Sequence, residues 1–292
     1  MNERDFLAER FEEHRTHLKA VAYRMLGSLA EADDAVQEAW LKLARSENGD
    51  IDNLGGWLTT VVGRVCLDML RSRRLRGETP LETRLPDPVV SDQVTDPEQQ
   101  ALVADSVGLA LLVVLESLNP AERLAFVLHD MFGMPFEEIA PIVDRTPAAA
   151  RKLASRARRR VQGAAPDPDP DPVTQRRVVD AFLTAARGGD LDGLVAILDP
   201  EVVLRADSGK TLPGGMRVIR GAEAVAGQAA TFQRMATTSH THPALVNGTA
   251  GLVNTIDGRL ISIMSFTVTA GRIAEIDILS DPDRLANFAL DR

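Results

Sequence analysis

The chain has 292 residues, 45% of them apolar, and a formal net charge of −9. This length is more than one small domain needs, so we expect two or three domains with buried cores. The single cysteine, Cys66, excludes an internal disulfide and a metal site built on several cysteines. We expect no secretory signal and no membrane span, because no apolar run follows a basic start and the longest aliphatic run is Leu109–Leu115. The sequence therefore predicts a soluble, cytoplasmic protein.

The first 76 residues predict three helices, because apolar side chains recur at helical spacing. Two helices fill residues 5–45 and are separated at Gly27. A polar loop over residues 47–56 precedes the third helix, which runs from about Trp57 to Arg74. The second helix exposes an acidic face: Asp33, Asp34, Gln37 and Glu38. The third helix ends in a basic cluster, larger than the helix dipole needs, which favours an anionic partner: Arg71, Arg73, Arg74 and Arg76.

The next segment, residues 78–105, separates two helical regions. It holds seven acids and one base, Arg84, and its proline, aspartate and threonine content predicts an extended linker. Helices resume over about residues 105–117 and 121–132. The bases of this acidic chain are thus concentrated in two stretches, one on each side of the linker.

A helix-turn-helix is predicted next. A short helix near Pro135–Val143, kinked or shortened by Pro141, leads through a turn at Asp144 into a helix over Pro147–Val161. Thr146 is a good N-cap, and proline suits the first helical position. One face of the last helix is mostly alanine and the other is cationic. This pattern indicates DNA binding, since a membrane-bound helix would need bulky apolar residues.

After Gly163 the predicted structure changes from helices to a spacer and a mixed domain of helices and strands. Alternating proline and aspartate over Ala164–Pro172 predict a semi-rigid spacer. The residues after it predict an α+β domain in which helices pack on a curved antiparallel sheet. Helices are expected at residues 175–187, 191–198, 222–235 and 282–290. Strands are expected at residues 202–207, 239–246, 250–256, 260–269 and 272–279, with hairpin turns at Asp257-Gly258 and Ala270-Gly271.

Three stretches of the first 162 residues resemble the extracytoplasmic-function group of the bacterial sigma-70 family. They are Ala32–Trp40, Trp57-Leu58 with Cys66–Arg74, and the helix-turn-helix over Asn119–Val161. Residues 174–292 resemble a SnoaL-like domain, a cone-shaped fold shared with nuclear transport factor and polyketide cyclases. The predicted fold is multidomain: two all-α sigma domains, a helical bundle and a helix-turn-helix, followed by an α+β SnoaL-like cone domain with a curved antiparallel sheet.

The resemblance implies a promoter-specificity subunit of RNA polymerase with no catalytic residue, metal or cofactor of its own. Residues 5–76 would be sigma region 2, which binds core RNA polymerase and recognises and melts the minus-10 element. Residues 105–162 would be sigma region 4, which recognises the minus-35 element. Residues 77–104 and 163–173 would be linkers, and residues 174–292 would be a regulatory domain.

The resemblance also implies site residues, with core RNA polymerase and promoter DNA as partners. In the minus-35 helix we expect base contacts from Arg151, Lys152, Ser155 and Arg156, and phosphate contacts from Arg145 and Arg159. Minus-10 contacts are expected from Asn53, Trp57, Arg71, Arg73, Arg74 and Arg76. The surface that binds core polymerase would be Asp33, Asp34, Gln37 and Glu38.

Three short motifs imply that the C-terminal domain regulates the sigma regions by intramolecular contact. The first is the linker motif Leu85-Pro86-Asp87-Pro88. The second is a degraded Asp-Gly-Gly-Gly-Lys motif, whose matching residues are Asp207, Gly209 and Lys210. The third loosely matches Asn-Pro-Asp-Lys-Leu and reads Asp281-Pro282-Asp283-Arg284-Leu285. A small ligand for this domain stays open, and no membrane partner is expected.

Two other functions stay open on the sequence alone. A one-component, ligand-responsive repressor would also use a helix-turn-helix. A cyclase or isomerase fused to an inactive sigma module would need acid–base groups in the cone, for which the candidates are Asp207, Asp277, His240 and His242. The two histidines share one face of a strand, but no third metal ligand is identifiable.

Overall fold

The computed structural model describes residues 3–45, 53–76, 84–91, 108–164, 166, 168–209 and 215–288. The chain divides into two compact units. The helical unit comprises Met1–Pro80 and Leu112–Ala164, and the C-terminal unit comprises Leu81–Leu111 and Ala165–Arg292. The described part of the linker, residues 84–91, therefore belongs to the C-terminal unit. Within the described ranges, no helix has the length and apolar character that crossing a membrane requires.

Three helices form the N-terminal module, residues 3–76: α1 (Glu3–Leu26), α2 (Leu29–Arg45) and α3 (Leu54–Leu75). α1 ends as predicted, because Gly27 adopts a left-handed φ of 66° and donates its N–H to the Tyr23 carbonyl. α3 begins earlier than predicted, because Asn53 caps it by accepting a hydrogen bond from the Gly56 N–H. The apolar stripes of all three helices are buried, as their spacing predicts.

Four helices follow: α4 (Leu109–Glu116), α5 (Pro120–Phe126), α6 (Phe136–Ile139) and α7 (Pro147–Ala164). The α-helix predicted over residues 121–132 is wrong in its second half, where Val127–Met131 forms a π-helical turn that closes before Gly133 (φ 69°). α6 ends ahead of Pro141, as the proline ring predicts. Asp144 takes a φ of 54° in the turn, a conformation that aspartate tolerates. Residues 112–164 are called the helix-turn-helix module below.

The C-terminal unit contains an open sheet of seven described strands, in the order β1-β4-β5-β6-β7-β2-β3. They are β1 (Val90–Ser91), β2 (Leu198–Asp207), β3 (Met216–Arg220), β4 (His240–Val246), β5 (Thr249–Ile256), β6 (Arg259–Thr269) and β7 (Arg272–Leu279). The predicted antiparallel sheet is confirmed at five of the six described pairings, and β2 runs parallel to β7 at the sixth. No hairpin joins these two strands, so no turn requires them to be antiparallel. Positive φ at both residues of Asp257-Gly258 and Ala270-Gly271 confirms the two predicted hairpin turns.

Five described helices accompany the sheet: α8 (Pro172–Gly188), α9 (Leu191–Ile197), α10 (Ala222–Ala226), α11 (Ala229–Thr238) and α12 (Pro282–Leu285). The single helix predicted over residues 222–235 is wrong, since the chain breaks into α10 and α11 at Gly227. β3 is missing from the prediction, because a five-residue edge strand offers too short an alternation to recognise. Asp171 caps α8, so the end of the predicted spacer is helical. Residues 165 and 167 of the spacer lie outside the described residues.

The two faces of the sheet carry separate cores. On the helix-covered face, Phe182 meets Phe232 and Phe266 edge to face, with ring centroids 5.4 and 5.2 Å apart. The opposite face carries a smaller cluster: Val246, Ile263, Leu279 and Leu285. Residues 84–91 of the linker are extended, as predicted, and Val90 pairs with Val246 in the β1–β4 ladder. No pattern in the sequence predicts that the linker adds a strand to the C-terminal sheet.

Candidate nucleic-acid interface

α7 presents a cationic face on the helix-turn-helix module. Its small face is completely buried at Ala150, Ala154 and Ala157, where it packs on α5. Thr146 caps the helix by accepting a hydrogen bond from the Ala149 N–H (3.3 Å). The outward face exposes five of the predicted minus-35 residues: Arg151, Lys152, Ser155, Arg156 and Arg159. The sixth, Arg145, is exposed in the turn that precedes the helix.

Two carboxylates neutralise part of this face. Glu122 on α5 is buried and accepts hydrogen bonds from Arg156 Nε (2.7 Å) and Arg160 Nη1 (3.2 Å). Asp130 pairs with Arg158. Glu122 was not predicted, because two partners 34 residues apart, Glu122 and Arg156, leave no local signal in the sequence. Among the described residues, no carboxylate forms an ion pair with three bases of α7: Arg151, Lys152 and Arg159.

One of these three bases is held by an aromatic ring. The Arg151 guanidinium lies 5.2 Å from the ring centroid of Phe136 on α6. Phe136 in turn stacks on His129, with ring centroids 3.9 Å apart. This packing orients Arg151 in the N-terminal part of α7, the part of a recognition helix that reaches base edges.

The basic end of α3 divides into exposed and structural arginines. Arg73 is 16% exposed, pairs with Glu31 on α2 and donates to the Leu26 carbonyl at the end of α1 (3.2 Å). It therefore joins all three helices of the N-terminal module. The other three arginines of the cluster are exposed: Arg71, Arg74 and Arg76.

The start of α3 carries the other two residues predicted for the minus-10 element. Asn53 is exposed, and its Oδ1 accepts the N-cap hydrogen bond from the Gly56 N–H (2.9 Å). Trp57 is half-buried. Residues 46–52 of the predicted loop lie outside the described residues.

The predicted polymerase-binding face on α2 is partly neutralised as well. Asp33 pairs with Lys19 (2.9 Å), and Glu38 lies 3.8 Å from Lys42. Asp34 and Gln37 are exposed between them, and Asp34 forms no ion pair with a described residue. Asp34 therefore carries the free negative charge of this face.

In the C-terminal unit, Arg284 joins the three predicted regulatory motifs. Its Nη1 donates to Asp207 Oδ2 (2.7 Å), its Nε to Asp87 Oδ1 (3.0 Å) and its Nη2 to the Leu85 carbonyl (2.8 Å). Asp207 is 1% exposed and also accepts a hydrogen bond from the Leu85 N–H (2.8 Å). We call Arg284, Asp207, Asp87 and Leu85 the clamp. It holds the linker by charge-assisted hydrogen bonds, which are the stronger kind.

The backbone around the clamp is shaped to fit it. Gly209 has a φ of 72°, and a Cβ there would overlap the Asp281 carboxylate, so the second motif requires a glycine. Asp281 caps α12 and thereby sets the position of Arg284 on that helix. Lys210 lies outside the described residues. The other residues of the motifs flank these contacts: Pro86, Pro88, Pro282, Asp283 and Leu285.

A second contact, between Val89 and Asn247, holds the linker four residues after Leu85. The Val89 N–H donates to Asn247 Oδ1 (3.0 Å), and the Asn247 N–H donates to the Val89 carbonyl (2.8 Å). Asn247 is buried and has a φ of 49° in the turn between β4 and β5. Asn247 was not predicted as a contact of the linker, although Asn247-Gly248 is itself a hairpin signal.

The carboxylates considered for acid–base catalysis both bind arginines. Asp207 belongs to the clamp, and Asp277, 2% exposed, accepts a hydrogen bond from Arg205 Nη1 (3.0 Å). Arg205 also donates to Glu275 (2.8 Å). Burial raises the pKa of Asp277 to about 6, although the Arg205 charge acts in the opposite direction. Asp277 alternates with the core residue Ile276 on β7, so it faces away from the interior of the cone.

The interior of the cone is nearly filled. Its cavity measures about 20 Å³, between the helix-covered face of the sheet and the aromatic core, whereas ligand pockets measure roughly 300–1,000 Å³. His240 and His242 are exposed on β4. No cluster of three histidine, cysteine, aspartate or glutamate side chains suited to a metal exists within the described residues.

Comparison with known proteins identifies both helical regions. Residues 10–76 match the family Sigma-70 region 2, and residues 108–161 match Sigma-70, region 4. The probable ECF RNA polymerase sigma factor SigI of Mycobacterium tuberculosis is 35% identical over 98% of this chain and 97% of its own. The ECF RNA polymerase sigma factor SigJ of that organism is 41% identical over 96% of this chain and 93% of its own. The crystal structure of SigJ superposes with a TM-score of 0.78, at 37% identity, covering 97% of this chain and 100% of SigJ.

Proposed function

The chain belongs to the extracytoplasmic-function RNA polymerase sigma factors, and from that membership we propose which of its residues meet the promoter, the polymerase and the linker. A sigma factor directs core RNA polymerase to promoters and initiates transcription there. The polymerase carries out the bond chemistry, so this chain is not an enzyme and works in the cytoplasm beside the polymerase. The observation that carries the proposal is the exposed face of α7, where three bases lack a carboxylate partner among the described residues.

The minus-35 element is bound by α7 in the major groove. Arg151 and Lys152 lie near the N-terminus of the helix and contact base edges, together with Ser155. Arg145 and Arg159 contact phosphates on either side. Arg156 approaches DNA with its Nε already held by Glu122, so its guanidinium is oriented before binding.

A matched pair of substitutions tests this assignment. Arg151→Ala should reduce promoter-specific transcription by roughly 10–100-fold, since a good base contact contributes about 1–3 kcal/mol. Arg160→Ala is the control, because Arg160 lies on the same helix but pairs with Glu122. Run-off transcription with purified core polymerase measures both. Equal activity of the two variants would refute the proposed role of Arg151.

The N-terminal module binds the minus-10 element through a basic surface and the polymerase through an acidic surface. Arg71, Arg74 and Arg76 contact the DNA backbone, while Arg73 positions them by joining α3 to Glu31. Asn53 and Trp57 lie at the start of α3, on the side that meets the melted strand. The acidic face of α2 binds a basic surface of core polymerase through Asp33, Asp34, Gln37 and Glu38.

The clamp adjusts sigma activity in cis. The linker joins the two DNA-binding modules, and the 32 residues from position 76 to position 108 can extend about 110 Å when free. Fixing residues 84–91 on the C-terminal sheet removes part of that reach. We infer that core polymerase draws the linker away from the C-terminal sheet, so that binding of polymerase and closure of the clamp oppose each other. The C-terminal unit therefore favours the free sigma factor over the holoenzyme.

The clamp is tested by Arg284→Ala. This substitution should increase the affinity for core polymerase about 3–10-fold, because part of the 1.5–3 kcal/mol typical of a charged hydrogen bond no longer opposes binding. Arg272→Ala is the control, since Arg272 is an exposed arginine of β7. Fluorescence anisotropy of the labelled full-length chain measures the affinity. An unchanged or weaker affinity in Arg284→Ala contradicts the proposed coupling.

A further inference from the structure

The exposed face of α7 has a centre without ion pairs and two flanks that are held by other residues. The centre lies opposite the buried alanines of the helix and consists of Lys152, Ser155 and Arg159. Three residues of the same module hold the arginines on the two sides of this centre. They are Phe136, Asp130 and Glu122. The side chains that approach DNA from the flanks therefore have a fixed direction, whereas the central ones adapt to it.

On one flank, the arginine that faces DNA keeps its full charge. Phe136 lies 5.2 Å from the Arg151 guanidinium, and an aromatic face holds a cation without neutralising it. The carboxylate of this flank, Asp130, pairs with a different arginine, Arg158, which follows the buried Ala154 by one turn. Asp130 therefore neutralises a charge at the edge of the face.

The opposite flank depends on one carboxylate. Glu122 Oε1 accepts a hydrogen bond from Arg156 Nε (2.7 Å), and Oε2 accepts one from Arg160 Nη1 (3.2 Å). The side chain of Glu122 is 9% exposed, while those of Arg156 and Arg160 are 51% and 58% exposed. The carboxylate is thus buried beneath two arginines whose outer atoms remain in solvent.

The position of Glu122 on α5 does not by itself explain this arrangement. Glu122 lies in the first turn of α5, where the helix dipole favours a carboxylate. A carboxylate in solvent would serve the dipole equally well and would need no partner on another helix. The two hydrogen bonds to arginines 34 and 38 residues further along the chain are therefore additional to the role in α5.

The hydrogen bond to Nε orients Arg156 for a base edge. It uses one donor of the guanidinium, and the two Nη groups have no hydrogen-bond partner among the described residues. Bidentate binding of guanine O6 and N7 requires two donors in a fixed geometry. A long side chain that is already held loses less conformational freedom when it binds. Glu122 therefore favours base reading by Arg156 over a loose phosphate contact.

Glu122 also lowers the attraction of α7 for DNA of any sequence. Binding to phosphates is electrostatic and independent of sequence, and it grows with the number of cations that reach the backbone. One carboxylate beside two arginines removes one unit of positive charge from this flank. The same residue thus weakens nonspecific binding and supports a base contact, and both effects increase discrimination between DNA sequences.

We infer that Glu122 is a positioning residue for promoter specificity, which directs Arg156 to a base of the minus-35 element and weakens binding to other DNA. The inference rests on the proposed contact of α7 with the minus-35 element. It goes beyond that proposal, because it assigns a share of the specificity to a buried residue on another helix.

Base preferences in the minus-35 element measure this role. Holoenzyme reconstituted with the full-length chain transcribes a pool of barcoded templates, in which the minus-35 element of a promoter used by the wild type is randomised. Arg156→Ala identifies the position that Arg156 reads, where the wild type should prefer the best base by roughly 5–150-fold. Glu122→Gln should reduce the preference at that position by at least about threefold. It should leave the position identified by Arg151→Ala unchanged.

Asp130→Asn is the charge-matched control, since it also removes one carboxylate from an arginine of α7. Both variants should bind nonpromoter DNA more tightly, and the slope of log K against log salt should steepen by up to about 0.9, the value for one added phosphate contact. Only Glu122→Gln should weaken a base preference. Wild-type preference in Glu122→Gln at the Arg156 position, or an equal loss of that preference in Asp130→Asn, overturns the inference.

Relative preferences also separate positioning from stability. A smaller folded fraction lowers transcription from every template by the same factor and leaves the preferences unchanged. If Glu122→Gln does not fold, Glu122→Asp takes its place, because it keeps the charge but withdraws the carboxylate by one methylene group. It should weaken the same preference without changing the salt slope, and an unchanged preference overturns the inference.

The arginine variants distinguish failure of the inference from failure of the proposed function. If neither Arg151→Ala nor Arg156→Ala changes a preference in the minus-35 element, the proposed contact of α7 fails and the inference fails with it. If the arginine variants change preferences and the Glu122 variants do not, only the inference fails.

Discussion

Arg123 is buried and Arg284 is partly buried, and the hydrogen bonds of the two guanidinium groups differ. Arg284, in the C-terminal unit, donates to two carboxylates and a carbonyl, and each of its three nitrogens has an acceptor. Arg123, in the helical unit, pairs with Glu116 and donates to the Arg24 carbonyl, and its Nη2 has no partner among the described residues. We call Arg123, Glu116 and Arg24 the seam. A satisfied buried arginine holds one arrangement firmly, whereas an unsatisfied one favours release. The clamp therefore holds its segment more tightly than the seam does.

Removing the clamp arginine should have the largest effect on stability. Arg284→Met leaves the buried Asp207 without its cation and leaves Asp87 with only the exposed Arg84, so we expect the C-terminal unit to lose about 3–5 kcal/mol. Urea unfolding followed by circular dichroism of the sheet measures the loss. Tryptophan fluorescence follows the helical unit separately, since both tryptophans, Trp40 and Trp57, lie there. Arg272→Met, at an exposed site, should change stability by less than about 0.5 kcal/mol.

Removing the seam arginine should have a smaller effect, and one that a second substitution cancels. Arg123→Met should cost the helical unit about 2–3 kcal/mol, because it leaves Glu116 buried without its cation. Adding Glu116→Leu should return stability to within about 1 kcal/mol of wild type, since apolar residues of similar volume replace a buried pair at little cost. Tryptophan fluorescence during urea unfolding measures both variants. A double variant as unstable as the single one would show that the ion pair is not the weak point of the seam.

The same double replacement should fail in the clamp. Arg284→Met with Asp207→Leu removes the cation together with its buried carboxylate, but it also deprives the Leu85 N–H and the Gly209 N–H of their acceptor. We therefore expect this variant to stay at least about 2 kcal/mol below wild type in the C-terminal unit. Full recovery of stability would remove the distinction between clamp and seam.

The smallest expected effect is a pH dependence of stability at Asp277, which pairs with Arg205. Burial raises the pKa of Asp277 to about 6 in the folded chain. A pKa raised by folding means that the folded state binds more protons between about pH 4 and pH 6, so stability falls as pH rises through this range and then levels off. Asp277→Asn should remove a fall on the order of 1–2 kcal/mol from the unfolding free energy of the C-terminal unit. Identical pH profiles for wild type and Asp277→Asn would contradict this.

Elements defined by local pattern were predictable from the sequence. Alanine and tryptophan at helical spacing predict α2, and Thr146-Pro147 predicts the start of α7. Asp144 in a three-residue turn predicts the left-handed residue that the structure has there. The cationic face of α7 was equally visible, because a single helix contains all of it.

Features that depend on distant partners were not predictable. β1 consists of Val90 and Ser91 only, and its ladder depends on β4, more than 150 residues later. The pairing of Glu122 with two arginines of α7, and of Arg73 with Glu31, appears only when the helices pack. Charge in the sequence therefore locates a binding surface, while packing decides which of its charges remain free.

Hydrogen exchange at the linker shows whether binding of core polymerase releases the linker from the clamp. The Leu85 and Val89 amides donate to Asp207 and Asn247, so in the free chain they should exchange slowly. We expect the linker to leave the sheet when core polymerase binds. Both amides should then exchange at least about 100-fold faster, the factor that corresponds to the loss of about 2.7 kcal/mol of protection. Slow exchange at both amides in the holoenzyme, equal to that in the free chain, would contradict the account.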